Sequence, residues 1–317
     1  MCTYNGAQFL QEQLDSLVSQ TRPPDEVVIC DDGSSDATVE IVRAWTADAP
    51  FSVDFQINEG RLGVVNNFNK AISRCTGDLV ALCDQDDVWL DHKLAQTERA
   101  FVDRPDLGLW FSDGRLADEQ CQPLPLSLWQ VFGVDRRRQA ELAGPQRLAL
   151  LLRRSVVTGA TMTFAARYKS LVLPAPDACP GYIHDRWIAT LIAAVAPIGC
   201  SPRPTILYRQ HRGQVRGADK RGPLQSLSAR MPRRRDLMVD DLRAARTLAH
   251  RLFERASGEM TPEARTIVNE RIRLLEMRTA LPGHRMARLA PITRSLFSGD
   301  YNRHAKGLAS AAKDLLL

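Results

Sequence analysis

Three carboxylates fall within four residues, Asp84-Gln85-Asp86-Asp87, directly after the apolar run Leu79-Val80-Ala81-Leu82-Cys83. That run, led in by Gly77-Asp78, reads as a buried strand of a mostly parallel sheet. Acids crowded at a strand end repel one another and cost stability unless something positive sits among them. A hard divalent cation, Mg²⁺ or Mn²⁺, takes oxygen ligands and shares its shell with substrate phosphates. In an open α/β sheet, the carboxyl ends of the strands are also where ligands bind. The quartet therefore points to a metal-bridged diphosphate. The plainer alternative is a solvated acidic loop or helix start, where Asp is common.

A second strand ends in acid. Val27-Val28-Ile29-Cys30 stops at Asp31-Asp32-Gly33-Ser34-Ser35-Asp36. Gly33 suits a tight turn, and Ser35 or Asp36 can cap a helix beginning near Ala37. Asp31 and Asp32 then share a sheet edge with Asp84 and Asp86. A carboxylate there can accept from a base N–H or a ribose hydroxyl; plain turn chemistry is the competing account.

Alternating short strands and helices must position these acids. Gly6 to Ser19 is helical, with Phe9, Leu10, Leu14 and Leu17 on one face. The spacing next predicts strands over 26–30, 51–57, 79–83 and 107–112, and helices over 37–47, 64–74 and 91–102. This rhythm gives an α/β fold with a doubly wound, mostly parallel sheet and helices on both faces. Residues 1–6 read as the end of a first strand and its turn, so the numbered chain is expected to begin inside the fold. Residues 113–180 are less regular, although Val156 to Phe164 suits a buried strand around Gly159. Residues 203–217 form a polar, basic loop. From Pro232 onward the pattern is helical, and 223–235 reads as a linker.

Composition narrows the class. The 317 residues, 44% of them hydrophobic, suffice for one large domain or two smaller ones. No apolar run approaches the roughly 20 residues that span a bilayer. Seven cysteines without a CxxC pair argue for a reducing cytosol and against a zinc site. Residues 218–317 carry 20 Lys and Arg against 11 Asp and Glu, a net +9, and the remainder carries −4. A solvated helical face is the default for such a basic segment; anionic headgroups are the functional alternative. Nucleic acid is not expected, because the basic part lacks clustered aromatics or a recognised motif.

Seven short motifs then appear in one order. They are Thr3-Tyr4-Asn5-Gly6, Cys30 to Asp36, Leu62 to Phe68, Leu82 to Trp89, Gly159-Ala160-Thr161-Met162, His184-Asp185-Arg186-Trp187 and Leu207-Tyr208-Arg209-Gln210-His211. Together they resemble the family 2 glycosyltransferases of GT-A fold, nearest to the rhamnosyltransferase-like members that build bacterial surface polysaccharide. The resemblance covers roughly residues 1–217, taken as the glycosyltransferase domain, with 218–317 as a basic helical extension. It implies that Thr3, Tyr4 and Asn5 line a nucleotide pocket and that Asp31 or Asp32 holds base or ribose. Asp84 and Asp86 form the DxD element beside nucleotide and metal, with Asp86 nearest the metal. Asp87, Gly159, Trp187 and Arg209 fall on the donor and acceptor side. Asp185 lies in the segment resembling the catalytic-base motif, the alternative being an Asp that caps the helix near Arg186. Trp187 suits either sugar stacking or the core. Arg209 suits a phosphate clamp, and His211 a further metal ligand or a structural role.

The implied activity is inverting transfer from a nucleotide-sugar, plausibly dTDP-L-rhamnose, to a lipid-linked saccharide. Its implied place is the cytoplasm, peripheral to the inner face of the plasma membrane. A nucleotidyltransferase is the enzymatic alternative, though no Gly-rich phosphate loop with a Lys is seen. A non-catalytic nucleotide-sugar-binding protein of the same fold is the other.

Overall fold

The computed structural model describes residues 1–177, 179, 181–211 and 234–316. The chain opens on a short strand β1 (Cys2–Thr3), then α1 (Ala7–Val18), β2 (Glu26–Asp31), α2 (Thr38–Asp48), β3 (Ser52–Ile57) and α3 (Val64–Arg74). β4 (Leu79–Ala81), β5 (Val88–Trp89), α4 (Lys93–Asp103) and β6 (Leu109–Ser112) continue the alternation. A less regular stretch follows: β7 (Arg115–Ala117), β8 (Pro123–Ser127), α5 (Leu128–Phe132), α6 (Arg136–Ala143) and α7 (Arg147–Arg153). β9 (Met162–Ala165), α8 (Lys169–Val172), α9 (His184–Val195), β10 (Ile198–Ser201) and β11 (Ile206–Arg209) complete the α/β part. Then come α10 (Arg234–Arg255), α11 (Pro262–Thr279), α12 (Arg285–Phe297), α13 (Asp300–His304) and α14 (Leu308–Leu316).

The expected elements of the first 112 residues form where the apolar spacing places them. Phe9, Leu10, Leu14 and Leu17 of α1 all face inward. β1, β2 and β3 run parallel, with Thr3 opposite Asp31 and Ile29 opposite Phe55. β10 and β6 are also parallel, but β9 runs antiparallel between β6 and β4. A third set joins β5, β11, β7 and β8, with β11 parallel to β7.

Two expectations need correction. The strand read over 156–164 begins only at Met162. Gly159–Thr161 is a tight helical turn, closed by the Thr161 amide and hydroxyl on the Thr158 carbonyl. The basic loop read from residue 203 contains β11, which is held between β5 and β7 and whose polar residues serve the site. The expected linker and the 217/218 boundary lie mostly outside the described residues.

One large core takes in Leu10, Ile29, Phe111, Phe164 and Ile192, and also Leu248 and Leu252 of α10 and Val268 of α11. The first C-terminal helices are thus built onto the α/β part. A smaller core of Leu274, Leu281, Ile292, Tyr301 and Ala311 joins α11 to α14. Beside it, Arg278 makes a buried two-pronged pair with Asp314 at 2.6 and 3.1 Å, and the Tyr301 hydroxyl donates to the same carboxylate at 2.8 Å. Among the described residues no helix is long and apolar enough to cross a membrane.

A cavity of about 280 Å³ lies between β2 and β4, lined by Val27 and Val28 on one side and Leu79, Val80 and Ala81 on the other. Met1 is also among its lining residues, and its nitrogen donates to the Val28 carbonyl at 2.7 Å.

Candidate active site

Three loops at the carboxyl ends of β1, β2 and β4 build one face, tied together by side chain to backbone bonds. Asp31, fully buried, has both oxygens engaged by its own loop and by Thr3 of β1. Oδ1 accepts from the amides of Gly33 and Ser34, and Oδ2 from the hydroxyls of Ser34 (2.6 Å) and Thr3 (2.7 Å). Asp32 reaches the other way. It accepts from Asn58 Nδ2 and the Leu62 amide on Oδ1, and from the Gly63 amide on Oδ2 at 2.9 Å. Of the two acids read as base or ribose ligands, Asp31 has its four acceptor positions filled; Asp32 has one oxygen with a single donor.

The Thr3–Gly6 loop is gripped from both sides. Asn5, with φ +46, accepts the Ser35 amide on Oδ1 and donates its own amide to Ser34 Oγ. On the opposite side the Gln85 carboxamide pairs with Tyr4, accepting from its N–H at 2.8 Å and donating to its carbonyl at 3.1 Å. Gly6 makes room for this, because a Cβ there would lie 2.3 Å from Gln85 Oε1. Tyr4 remains half exposed, with the Arg61 guanidinium 4.2 Å above its ring. Gln85, the non-acidic member of the quartet, thus joins its own loop to the Thr3–Gly6 loop. Its offset within Asp84-Gln85-Asp86 places it opposite its neighbours but does not name its partner.

The acids themselves converge. Burial pushes Asp84 up to about 7, reinforced by the charges of Asp86 and then of Asp185. Asp87 is also driven well above the usual carboxylate range by burial and by Asp86 and Asp84. Asp87 Oδ1 accepts from the Arg209 amide at 3.1 Å, and Oδ2 has no hydrogen-bond partner among the described residues. Tyr208 sits among all four acids; burial, then Asp87, Asp84, Asp86 and Asp185, push its hydroxyl upward. Asp185 lies in the first turn of α9, accepting the Arg186 amide. Gly159 lies against it, a Cβ there standing 3.3 Å from His184 Nε2 and 3.4 Å from the Asp185 Cβ.

Positive charge arrives from behind. Lys93 is fully buried, donates to the Ala160 carbonyl at 3.0 Å, and lies 4.7 Å from the Trp89 ring centre. Desolvation lowers it to about 8, against the pull of Cys83, Asp87 and Asp84. Nothing in the pattern of α4 marks this lysine from its surface neighbours.

Arg209 differs from the expected phosphate clamp. It is fully buried, and its guanidinium donates to the Asp86 carbonyl (2.8 Å), the Glu119 carbonyl (2.7 Å) and Glu12 (2.8 Å), over the Phe9 ring. It pins the acidic loop from beneath. Trp187 differs as well: its side chain is fully buried and its indole donates to the Val172 carbonyl at 2.9 Å, so it belongs to the core and not to a sugar platform. Arg186 is likewise turned onto the backbone carbonyls of Gly181 and Leu152.

His211 places Nε2 2.9 Å from Asp86 Oδ2. With Asp84 and Asp87 both raised by burial and by neighbouring acids, and one Asp87 oxygen without a hydrogen-bond partner among the described residues, this oxygen-rich set suits a hard divalent cation. Elsewhere, Glu270, Asp300 and His304 bring three ligand atoms within 4.8 Å of one another. There Arg303 already supplies the cation, 3.0 Å from Asp300 and 3.5 Å from Glu270.

The expected single doubly wound sheet is here three hydrogen-bonded sets, but their parallel-rich order, with β9 antiparallel between β6 and β4 and acidic loops at the carboxyl ends of β2 and β4, is the GT-A fold of glycosyltransferases. A mannosyltransferase structure from Pyrobaculum calidifontis, in complex with GDP-Man and Mn²⁺, superposes with a TM-score of 0.53 at 19% identity, over 98% of this chain and 77% of that one. Residues 1–113 match the model of glycosyl transferase family 2. The uncharacterized protein Rv1520 of Mycobacterium tuberculosis is 33% identical over 217 residues, 66% of this chain and 57% of that protein. The poly-beta-1,6-N-acetyl-D-glucosamine synthase of Staphylococcus epidermidis is 29% identical over 120 residues, 38% of this chain and 28% of its own. The chain spans between 26% and 57% of the length of the curated relatives it matches.

Proposed function

We propose that the chain is an inverting, divalent-cation-dependent glycosyltransferase that takes a sugar from a nucleotide-sugar and passes it to a lipid-linked saccharide of a cell-surface polysaccharide. The observation that carries this reading is the meeting of Asp84, Asp86 and Asp87, after strand β4, with Asp185 of helix α9, beside the face built by the Thr3–Gly6 and 31–36 loops. The S. epidermidis relative's name supports a polysaccharide product, and the mannosyltransferase complex supports a sugar nucleotide with Mn²⁺. L-Rhamnose from dTDP-rhamnose is the donor we propose from the motifs. We read residues 1–217 as the catalytic unit, cytoplasmic, with 218–317 as an extension touching the inner face of the plasma membrane.

A divalent cation held by Asp86 and Asp84, with His211 alongside, would neutralise charge on the departing diphosphate. The residues of the chain do the rest. Thr3, Tyr4 and Asn5 form the nucleotide face, and Tyr4 with Arg61 offers a platform on which a base can stack. Asp185 takes the proton of the acceptor hydroxyl as that oxygen attacks the anomeric carbon. One bond forms and one breaks in the same displacement, so the configuration inverts. Asp87 and Tyr208 fix the floor beneath the donor sugar, with Gly159 leaving space for it. Lys93 limits the charge the acids must carry without entering the site.

The test is nucleoside diphosphate release from a panel of nucleotide-sugars, with and without Mn²⁺, for the wild type and Asp185→Asn. Selective, metal-dependent turnover lost in the variant supports the reading. Donor binding that persists with no turnover in either protein, with lipid-linked acceptor supplied, favours the non-catalytic reading.

A further inference from the structure

Two packed helices far along the chain from the acidic loops each present an apolar face to solvent. On α12, Phe297 is 94% exposed and Met286 68% exposed, with Leu289 also exposed. At 3.6 residues per turn, Met286, Leu289, Ala290, Thr293 and Phe297 fall within an arc of about 100°. All five are exposed, whereas Arg288 and Ile292 on the other side are buried. The arc is edged by a cation on each side, Arg285 and Arg294, each about 40° beyond it.

α14 repeats the arrangement. Leu308, Ala309, Ala312 and Leu316 are exposed within about 100°, and Lys313 stands at the margin. Its opposite face carries Ser310, Ala311 and Asp314 into the small core shared with α12. Burying five such positions in a folded protein needs a partner or a different solvent.

The charge around these faces selects the partner. Residues 285–316 hold six Lys and Arg and two Asp, a net +4. Both carboxylates are engaged: Asp300 by Arg303, and Asp314 by Arg278. No free acid is left there to repel an anionic surface, while Arg285, Arg294, Lys306 and Lys313 are all exposed. An apolar arc edged by cations is the pattern of a helix lying in the interface of an anionic bilayer.

We propose that α12 and α14 form a membrane-docking surface, with Phe297, Met286 and Leu308 entering the headgroup boundary and Arg285, Arg294 and Lys313 meeting lipid phosphates. This deepens the membrane contact in the reading above and rests on that reading only for its purpose, delivery of the site to a lipid-linked acceptor. The surface itself is independent of the sugar chemistry.

The experiment is co-sedimentation of the full chain with vesicles of phosphatidylcholine alone or mixed with phosphatidylglycerol, at low and high salt. Three proteins are compared: wild type, Met286→Ser/Phe297→Ser and Arg285→Glu/Arg294→Glu. The expected result is wild-type binding to the anionic vesicles, with partitioning at least ~10-fold weaker in each double variant and weakened by salt. Donor hydrolysis in solution should be unchanged in both variants, which also shows that they fold. Wild type left in the supernatant with both vesicles overturns the proposal. So does binding that neither double variant reduces. Concentration-dependent dimerisation of the wild type, lost in Phe297→Ser, would assign the face to a second copy and overturn it equally. Loss of turnover with vesicle binding intact would instead count against the glycosyltransferase reading alone.

Discussion

Replacing Gly6 with alanine isolates the clamp between the Thr3–Gly6 loop and the acidic loop after β4. Gly6 has φ −104 and ψ 7, a conformation alanine can adopt, so the effect is steric. The new methyl would stand 2.3 Å from Gln85 Oε1 and 2.5 Å from Cδ, so the carboxamide must leave Tyr4. Two hydrogen bonds, at 2.8 and 3.1 Å, are lost. At about 0.5–1.5 kcal/mol each, and with both partners regaining water, the net cost is about 1–2 kcal/mol. If the clamp orders the nucleotide face, this appears as roughly 5- to 30-fold weaker nucleoside diphosphate binding in Mn²⁺. Titration calorimetry on wild type, Gly6→Ala, Gln85→Ala and the double variant measures it. Because both single changes remove the same clamp, the double variant should bind about as well as either one. Losses that simply add, or a Gly6→Ala affinity equal to wild type, would refute the reasoning.

Other expectations follow from the same geometry. Asp185→Asn should cut turnover by about 10²- to 10⁴-fold while donor affinity stays within a few-fold, read from steady-state kinetics beside calorimetry. Asp84 titrates near 7 in the folded chain against an ordinary 3.8, so a proton competes with the cation below that value. Apparent Mn²⁺ affinity should rise about 10-fold between pH 6 and 8 and then level off. In metal-free protein the raised value means that the folded state holds the extra proton, so this group's contribution to stability falls as pH rises from about 4 to 7. Thermal unfolding across that window, with and without Mn²⁺, checks the sign. Trp187→Ala should lower stability by about 3–5 kcal/mol in denaturant unfolding, because it empties a buried site. Arg209→Lys should impair cation binding indirectly, since one ammonium cannot reach Glu12, Glu119 and Asp86 together.

The legible part of this fold lay where pattern and chemistry coincide. The run before Asp84 and the run before Asp31 are apolar because both strands are covered, and both end in acid at one edge. That made the strands and their shared acidic edge readable; Asp185 was implied only by the resemblance of its motif. Three things were not. β11 is only four residues, two apolar (Ile206, Leu207) followed by two polar ones that serve the site (Tyr208, Arg209), so it resembled a loop. Arg209 and Trp187 have side chains suited to ligands, and only the packing of Phe9 and Val172 against them decides that they face inward. Lys93 looks like any helix-surface lysine, and its burial depends on where α4 lies against the acidic strand.

The Tyr4–Gln85 pair makes the Thr3–Gly6 loop and the acidic loop after β4 one hydrogen-bonded unit. The Tyr4 amide, tied to Gln85 although its residue is exposed, should exchange with deuterium more slowly than that exposure suggests. A donor and cation that touched both loops would act as a rivet. Their binding would slow that exchange further and stabilise the fold by RT ln(1 + [L]/Kd).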